Sequence, residues 1–214
     1  MKRFLVLTAL MAVCASVAFA QAPYLYENDN EIGIYMVENP TADNAQDMAM
    51  YTGALPGMFT CYVVCTHPVN MHYGAPGSTV RNPITLIGGM EFRINLPTGL
   101  FIQEAVMPPN SINFATPPEW LAGVEAPVVD DHCTLLRLTL ATFSTAPGYI
   151  YLSPVQVAPQ SIPGSMSITD YLDDFRLNPA YPVSGSYDLP VFGVLESVVP
   201  TEDASWSDVK SLYR

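Results

Sequence analysis

From Met90 to Leu96, "MEFRINL", apolar and polar side chains alternate without a break, and no other stretch constrains the fold as tightly. Successive side chains of an extended strand point to opposite faces. Met90, Phe92, Ile94 and Leu96 therefore share one side, and Glu91, Arg93 and Asn95 share the other. A helix would scatter both sets around its axis. The stretch predicts an antiparallel strand with its apolar face on a core and its polar face in water. "TLLRLTLATF" (134–143) repeats the pattern, with Leu136, Leu138 and Leu140 on one face and Arg137, Thr139 and Ala141 on the other. In that register Cys133 falls opposite Leu136 and Leu138.

Six further apolar runs read as strands: Ile32–Glu38, Phe59–Thr66, Leu100–Val106, Trp120–Val124, Tyr149–Ser153 and Val191–Val198. They are short and separated by turn residues, for which the 20 prolines and 13 glycines are well placed. About eight such strands are expected to stack as two antiparallel sheets, because each sheet then buries the apolar face of the other. The expected fold is all-β, an antiparallel β-sandwich of jelly-roll or cohesin-like type with a short C-terminal helix. One domain spans 21–200. Between 155 and 190 proline and serine interrupt every run, so a long proline-rich surface loop is expected there, with a short helical turn near Asp170–Phe175. No internal repeat and no low-complexity tract is visible.

The chain opens with Lys2 and Arg3, an apolar run from Phe4 to Val13, and small residues ending at Ala18-Phe19-Ala20. This is the layout of a secretory signal peptide over residues 1–20. A lipid anchor on Cys14 fits less well, since Val13 stands where a small residue is needed. Secretion to the periplasm, cell surface or extracellular space is the resulting expectation. Cleavage after Ala20 removes two basic residues and no acidic one, taking the formal charge from −12 to −14. A field of that sign repels phosphate backbones and anionic lipid, which excludes nucleic acid as a partner. No later apolar run approaches the ~20 residues of a transmembrane helix.

"FTCYVVCTHP" (59–68) raises the question of chemistry. As a strand it places Phe59, Cys61, Val63 and Cys65 on one face, with Tyr62 and Val64 on the other. Four residues of strand separate Cys61 from Cys65 by ~13 Å, too far for a mutual disulfide. Cys133 is the remaining partner, so the expectation is a bond from Cys133 to Cys61 or Cys65, or buried free thiols. Cys61, Cys65, His67, His72, His132 and Cys133 are all metal-ligand types, but strand spacing keeps them from converging on one ion.

No nucleophile elbow, zinc-protease helix or phosphate loop occurs. Cys65 with His67 or His72 is the one conceivable nucleophile pair, and it is no denser than chance supplies. The chain is read as non-enzymatic, with no cofactor expected. Ca²⁺ is the candidate ion, at "ENDNE" (27–31) or at Asp170, Asp173 and Asp174, although neither stretch has the glycine and spaced acids of an EF-hand loop. Tyr149, Tyr151, Tyr171, Tyr181 and Tyr187 offer an alternative function, a carbohydrate-binding module that stacks sugar rings on exposed tyrosines.

The tail "SWSDVKSLYR" (205–214) starts with a capping-box-like Ser205 and Asp208 and places Trp206, Val209 and Tyr213 on one helical face. Lys210 and Arg214 lie near the end where positive charge suits the helix dipole. At ten residues it needs a surface to pack on. The tail, residues 201–214, is therefore the expected partner-binding element, through Trp206, Val209, Lys210, Leu212, Tyr213 and Arg214.

From Met58 to Val155, "NPITLIGGMEFRINLPTGLFIQEAVMPPNSI" followed by "LLRLTLATFSTAPGYIYLSPV" resembles the cohesin-like β-sandwich. "NFATPPEW", "SIPGSM", "SGSYDLPV" and the tail are similar to segments of a group of exported bacterial proteins that end in a Trp-x-x-Val-Lys-x-Leu-Tyr-Arg pattern. That second likeness brings no activity with it. Cohesins bind dockerins through one sheet face, so the resemblance implies protein recognition, but no dockerin-binding residues carry over. The expected function is a secreted binding or assembly protein of the envelope or extracellular space.

Overall fold

The computed structural model describes residues 29–41, 43–73 and 79–195. In chain order its elements are β1 (Glu31–Tyr35), α1 (Ala45–Met48), β2 (Met50–Tyr51), β3 (Gly57–Thr66), β4 (Val69–Tyr73), β5 (Thr79–Pro83), β6 (Leu86–Asn95), β7 (Leu100–Val106), β8 (Ile112–Asn113), β9 (Glu119–Pro127), β10 (His132–Thr142), β11 (Gly148–Ser153), β12 (Met166–Asp170), β13 (Arg176–Pro182) and β14 (Phe192–Val194). The fold is all-β and forms a sandwich. One layer runs β13-β1-β3-β10-β7, and the other is built on β6.

β6 is long enough to serve three partners. One edge pairs with β9, while the other pairs first with β12, through Met90↔Ile168, and then with β11, through Ile94↔Leu152. β11 continues into β14 and β2. β13 joins the layers, pairing antiparallel with β12 at Arg176–Ala180 and parallel with β1 at Tyr181 and Pro182. The core between the layers contains Ile32, Ile34, Phe59, Val63, Leu136, Leu138 and Leu140 from one side and Phe92, Ile94, Trp120, Ile150 and Ile168 from the other. Phe92 and Trp120 stack at 5.8 Å. Full burial of each such side chain contributes about 1.5–3 kcal/mol before entropy is set against it.

β6 buries Met90, Phe92 and Ile94 as its alternation predicts, but its other face is not simply wet. Glu91 is buried, because the segment after β11 crosses that face and Ser161 N–H donates to both Glu91 carboxylate oxygens at 3.0 Å. Glu119 anchors the same segment further along.

The expected long loop at 155–190 instead contains two strands, β12 and β13. Prolines at 179 and 182 hide the second in the sequence. Tyr181 N–H donates to O of Asn30, the residue before β1, so by alternation the nitrogen of Pro179 faces the same side, where no described strand pairs with it. A missing donor there costs nothing. Where a helical turn was expected near Asp170–Phe175, Asp170 ends β12 and residues 171–175 form a turn between the two strands, not a helix. The C-terminal strand covers Phe192–Val194, and the expected continuation to Val198 and the C-terminal helix lie outside the described residues.

Cys133 also departs from expectation. A bulge between Thr134 and Leu136 inserts Leu135 into β10, which reverses the alternation upstream. Cys133 thereby joins Leu136 and Leu138 on the core face.

Candidate binding face

The β3-β10-β7 layer turns its second face away from the core, and its register arranges that face in rows. Met58, Ala141 and Phe101 lie side by side on the three strands; Thr60, Thr139 and Glu104 form the next row; Tyr62, Arg137 and Val106 form the third. Each row follows from period-two alternation, since Phe59, Cys61, Leu138, Leu140, Leu100 and Ile102 between them point inward. A bulge at Thr139–Leu140 leaves Gln103 extra on β7 and keeps Glu104 and Phe101 on the same outer face.

The first row is apolar and open. Met58 is 62% exposed and Phe101 53%, with Ala141 between them. Phe143, 79% exposed, packs its ring 5.9 Å from that of Phe101. The middle row is polar: Thr139 Oγ1 donates to Glu104 Oε2 at 3.4 Å, and the Arg137 guanidinium lies 3.7 Å from the same oxygen. Both charges are about half exposed, so this pair contributes little to stability and is available to a partner.

Past the third row the face deepens into a groove of about 600 Å³. Val106, Met107, Pro108 and Pro109 line it together with Glu38, Asn39, Tyr62 and Arg137. The Glu38–Asn39 side belongs to a strap after β1 that carries α1 and packs Ala45 and Ala49 on Tyr35 and Val64, covering the rest of the outer face. Tyr35 lies across Gly33 so closely that a Cβ there would come within 2.5 Å of its hydroxyl, so a larger residue at position 33 would force the buried Tyr35 ring to move. His132 fixes the strap to the β9–β10 turn: Nδ1–H donates to Asp130 O at 2.8 Å, and Nε2 lies 3.0 Å from Asn39 Oδ1.

Cys61, Cys65 and Cys133 lie in the core, whereas His132 is held by Asn39 and Asp130. Among the described residues no group of three or more His, Cys, Asp or Glu side chains is arranged to hold an ion. Of the two acidic stretches, "ENDNE" is described only from Asp29. There Asn30 Oδ1 accepts Val69 N–H at 2.7 Å and ties β1 to β4. In the other, Asp170 accepts the Asn70 side-chain amide and Leu172 N–H, and Asp173 pairs with Arg176 at 2.6 Å.

The five tyrosines are not gathered. Tyr149 and Tyr151 lie on β11, Tyr171 packs edge-on to Phe175 in the β12–β13 turn, Tyr181 is on β13, and Tyr187 packs against the core. The tail in which partner-binding residues were expected lies outside the described residues. The outer face of β3-β10-β7 escaped the sequence reading. Its signal was present in the polar half of each alternation, where Met58, Phe101 and Phe143 stand at positions that should be wet.

Comparison with family models and with curated proteins returns no match. Solved structures similar to this chain include these two. Both are cohesin modules. The first belongs to a family 33 glycoside hydrolase of Clostridium perfringens ATCC13124, with a TM-score of 0.44, 8% identity, and coverage of 78% of this chain and 98% of the module. The second is a non-cellulosomal cohesin from the hyperthermophilic archaeon Archaeoglobus fulgidus, with a TM-score of 0.39, 9% identity, and coverage of 81% and 95%. What this chain binds is read from its own surface. Among the described residues no helix is long and apolar enough to cross a membrane.

Proposed function

We propose that this chain is a secreted, non-enzymatic binding or assembly module of the cell envelope or extracellular space, and that it takes a protein partner on the outer face of β3-β10-β7. The observation that carries the reading is the register row Met58-Ala141-Phe101, extended by Phe143. It places large apolar side chains in solvent on a rigid sheet, next to a polar row and a groove. Apolar centres with polar rims are the anatomy of protein interfaces. The signal-like N-terminus supports export, and the strongly acidic composition favours a partner with basic groups at its rim. The tail contributes a second contact through Trp206, Val209, Lys210, Leu212, Tyr213 and Arg214.

Site-specific photocrosslinking in the native host tests this. A benzophenone side chain at position 101 or 143 is expected to yield one discrete protein adduct, and the same group at position 157, exposed on the other layer, none. Equal adducts at all three positions would sink the reading. So would binding on a glycan array that Tyr149→Ala or Tyr181→Ala abolishes, which would transfer the function to carbohydrate. Deleting residues 203–214 is expected to weaken the adduct; an unchanged yield removes the tail from the interface.

A further inference from the structure

Cys65 and Cys133 are register partners on adjacent antiparallel strands. Both are buried and both belong to the core face. Directly opposed residues of an antiparallel pair have Cα atoms about 4.5–5.5 Å apart, which lies inside the ~4.4–6.8 Å a disulfide spans. Cys61 is placed differently. Its partner across the ladder is Leu138, and the bulge at Leu135 lies between it and Cys133. The three sulfurs are unbonded in the structure.

We propose that Cys65 and Cys133 form a cross-strand disulfide in the exported protein, and that Cys61 stays a buried thiol. This site goes beyond the binding reading and stands on separate observations. The bond would staple the two strands that display Met58 and Ala141. The leucine inserted at 135 is what makes it accessible to geometry: without the bulge, Cys133 would face away from Cys65's neighbours in the core.

The chemistry needs an external disulfide donor, such as an oxidised protein dithiol of the export compartment. One cysteine thiolate attacks a donor sulfur and forms a mixed disulfide, releasing the donor's other sulfur as a thiolate. The second cysteine thiolate then attacks the protein sulfur of that mixed disulfide. The Cys65–Cys133 bond forms, the donor leaves as a dithiol, and two protons and two electrons have passed from protein to donor. Burial pushes the Cys133 thiol up to about 12 and the Cys65 thiol well above its ordinary range, so exchange belongs to folding, before β3 and β10 close over both.

The test uses the full-length chain exported into an oxidising compartment, denatured without reductant, alkylated, reduced, and alkylated again with a heavier reagent. Chymotryptic cleavage after Tyr62 separates Cys61 from Cys65. The expected result is light label on Cys61 and heavy label on Cys65 and Cys133. Light label on all three, or heavy label on Cys61, overturns the proposal. A second measurement does not depend on peptide mapping. Reductant should lower the Tm of the wild-type chain by about 10 °C, given a closed loop of about 70 residues, and leave that of Cys65→Ala and Cys133→Ala unmoved. Cys61→Ala should keep the reductant-sensitive shift; losing it there also overturns the assignment.

Discussion

Arg93 and Glu119, opposed on β6 and β9, form a 3.0 Å ion pair whose carboxylate also receives three backbone N–H groups from Gln156, Val157 and Ala158. The carboxylate is the internal anion around which the segment after β11 folds. Burial alone would raise its pKa. The backbone donors and Arg93 outweigh that and hold it at about 2, below an ordinary value of 4.5.

Stability should therefore depend on pH with a definite sign. A carboxylate with a depressed folded pKa contributes its stabilisation fully above about pH 4.5, and that contribution is lost as pH falls from there through about 2. Glu119→Gln, which keeps the shape and removes the charge, is expected to lower stability by roughly 1–3 kcal/mol at pH 7. It should also flatten the acid limb of a Tm-against-pH curve. An unchanged acid limb would show that Glu119 does not govern it.

Trp120→Ala removes the partner of Phe92 from the centre of the core. The loss should be about 3–5 kcal/mol, measured by denaturant unfolding, because the cavity adds to the lost burial. A cost under about 1 kcal/mol would mean that the two layers do not pack through this pair.

Asn70 links three segments: its side-chain amide donates to Asp170, and its Oδ1 accepts the Asn178 amide at 2.7 Å. Asn70→Ala removes one hydrogen bond each from the buried Asp170 carboxylate and the buried Asn178 amide and should cost about 2–4 kcal/mol. Asn70→Asp places a second carboxylate beside Asp170 and should be worse at pH 7 than at pH 4. Thermal melts at the two pH values read the difference directly.

Phe101→Ser, Phe143→Ser and Arg137→Ala should each change stability by no more than about 0.5 kcal/mol, since these side chains are half exposed or more. The same Phe101 and Phe143 changes should reduce partner recovery at least tenfold. Large destabilisation by Phe101→Ser would identify that ring as part of the fold rather than of an interface.

Strands with local alternation were legible from residue order. β7 was read with its observed limits, and β6 and β10 were found by their strict period of two, because each buries one face whatever its neighbours. β12 and β13 were not: β12 is only five residues long, and the prolines of β13 argue against a strand unless their nitrogens face an unpaired side, and pairing is not a local property. The cysteine question shows the same division. Spacing along β3 alone ruled out a Cys61–Cys65 bond, but the face of Cys133 turned on Leu135, an extra residue that makes sense only against the register of β3. The apolar row of the binding face has the same origin. Met58, Phe101 and Ala141 are separated by some forty residues at each step and become neighbours only through strand pairing. Residue order by itself determined that the chain is all-β and that Met90, Phe92 and Ile94 of β6 and Leu136, Leu138 and Leu140 of β10 face the core, because alternation is a property of one strand. Tertiary structure decided which strands adjoin, where bulges reset a face, and which outward side chains stay uncovered, because those depend on hydrogen-bonded partners distant in sequence.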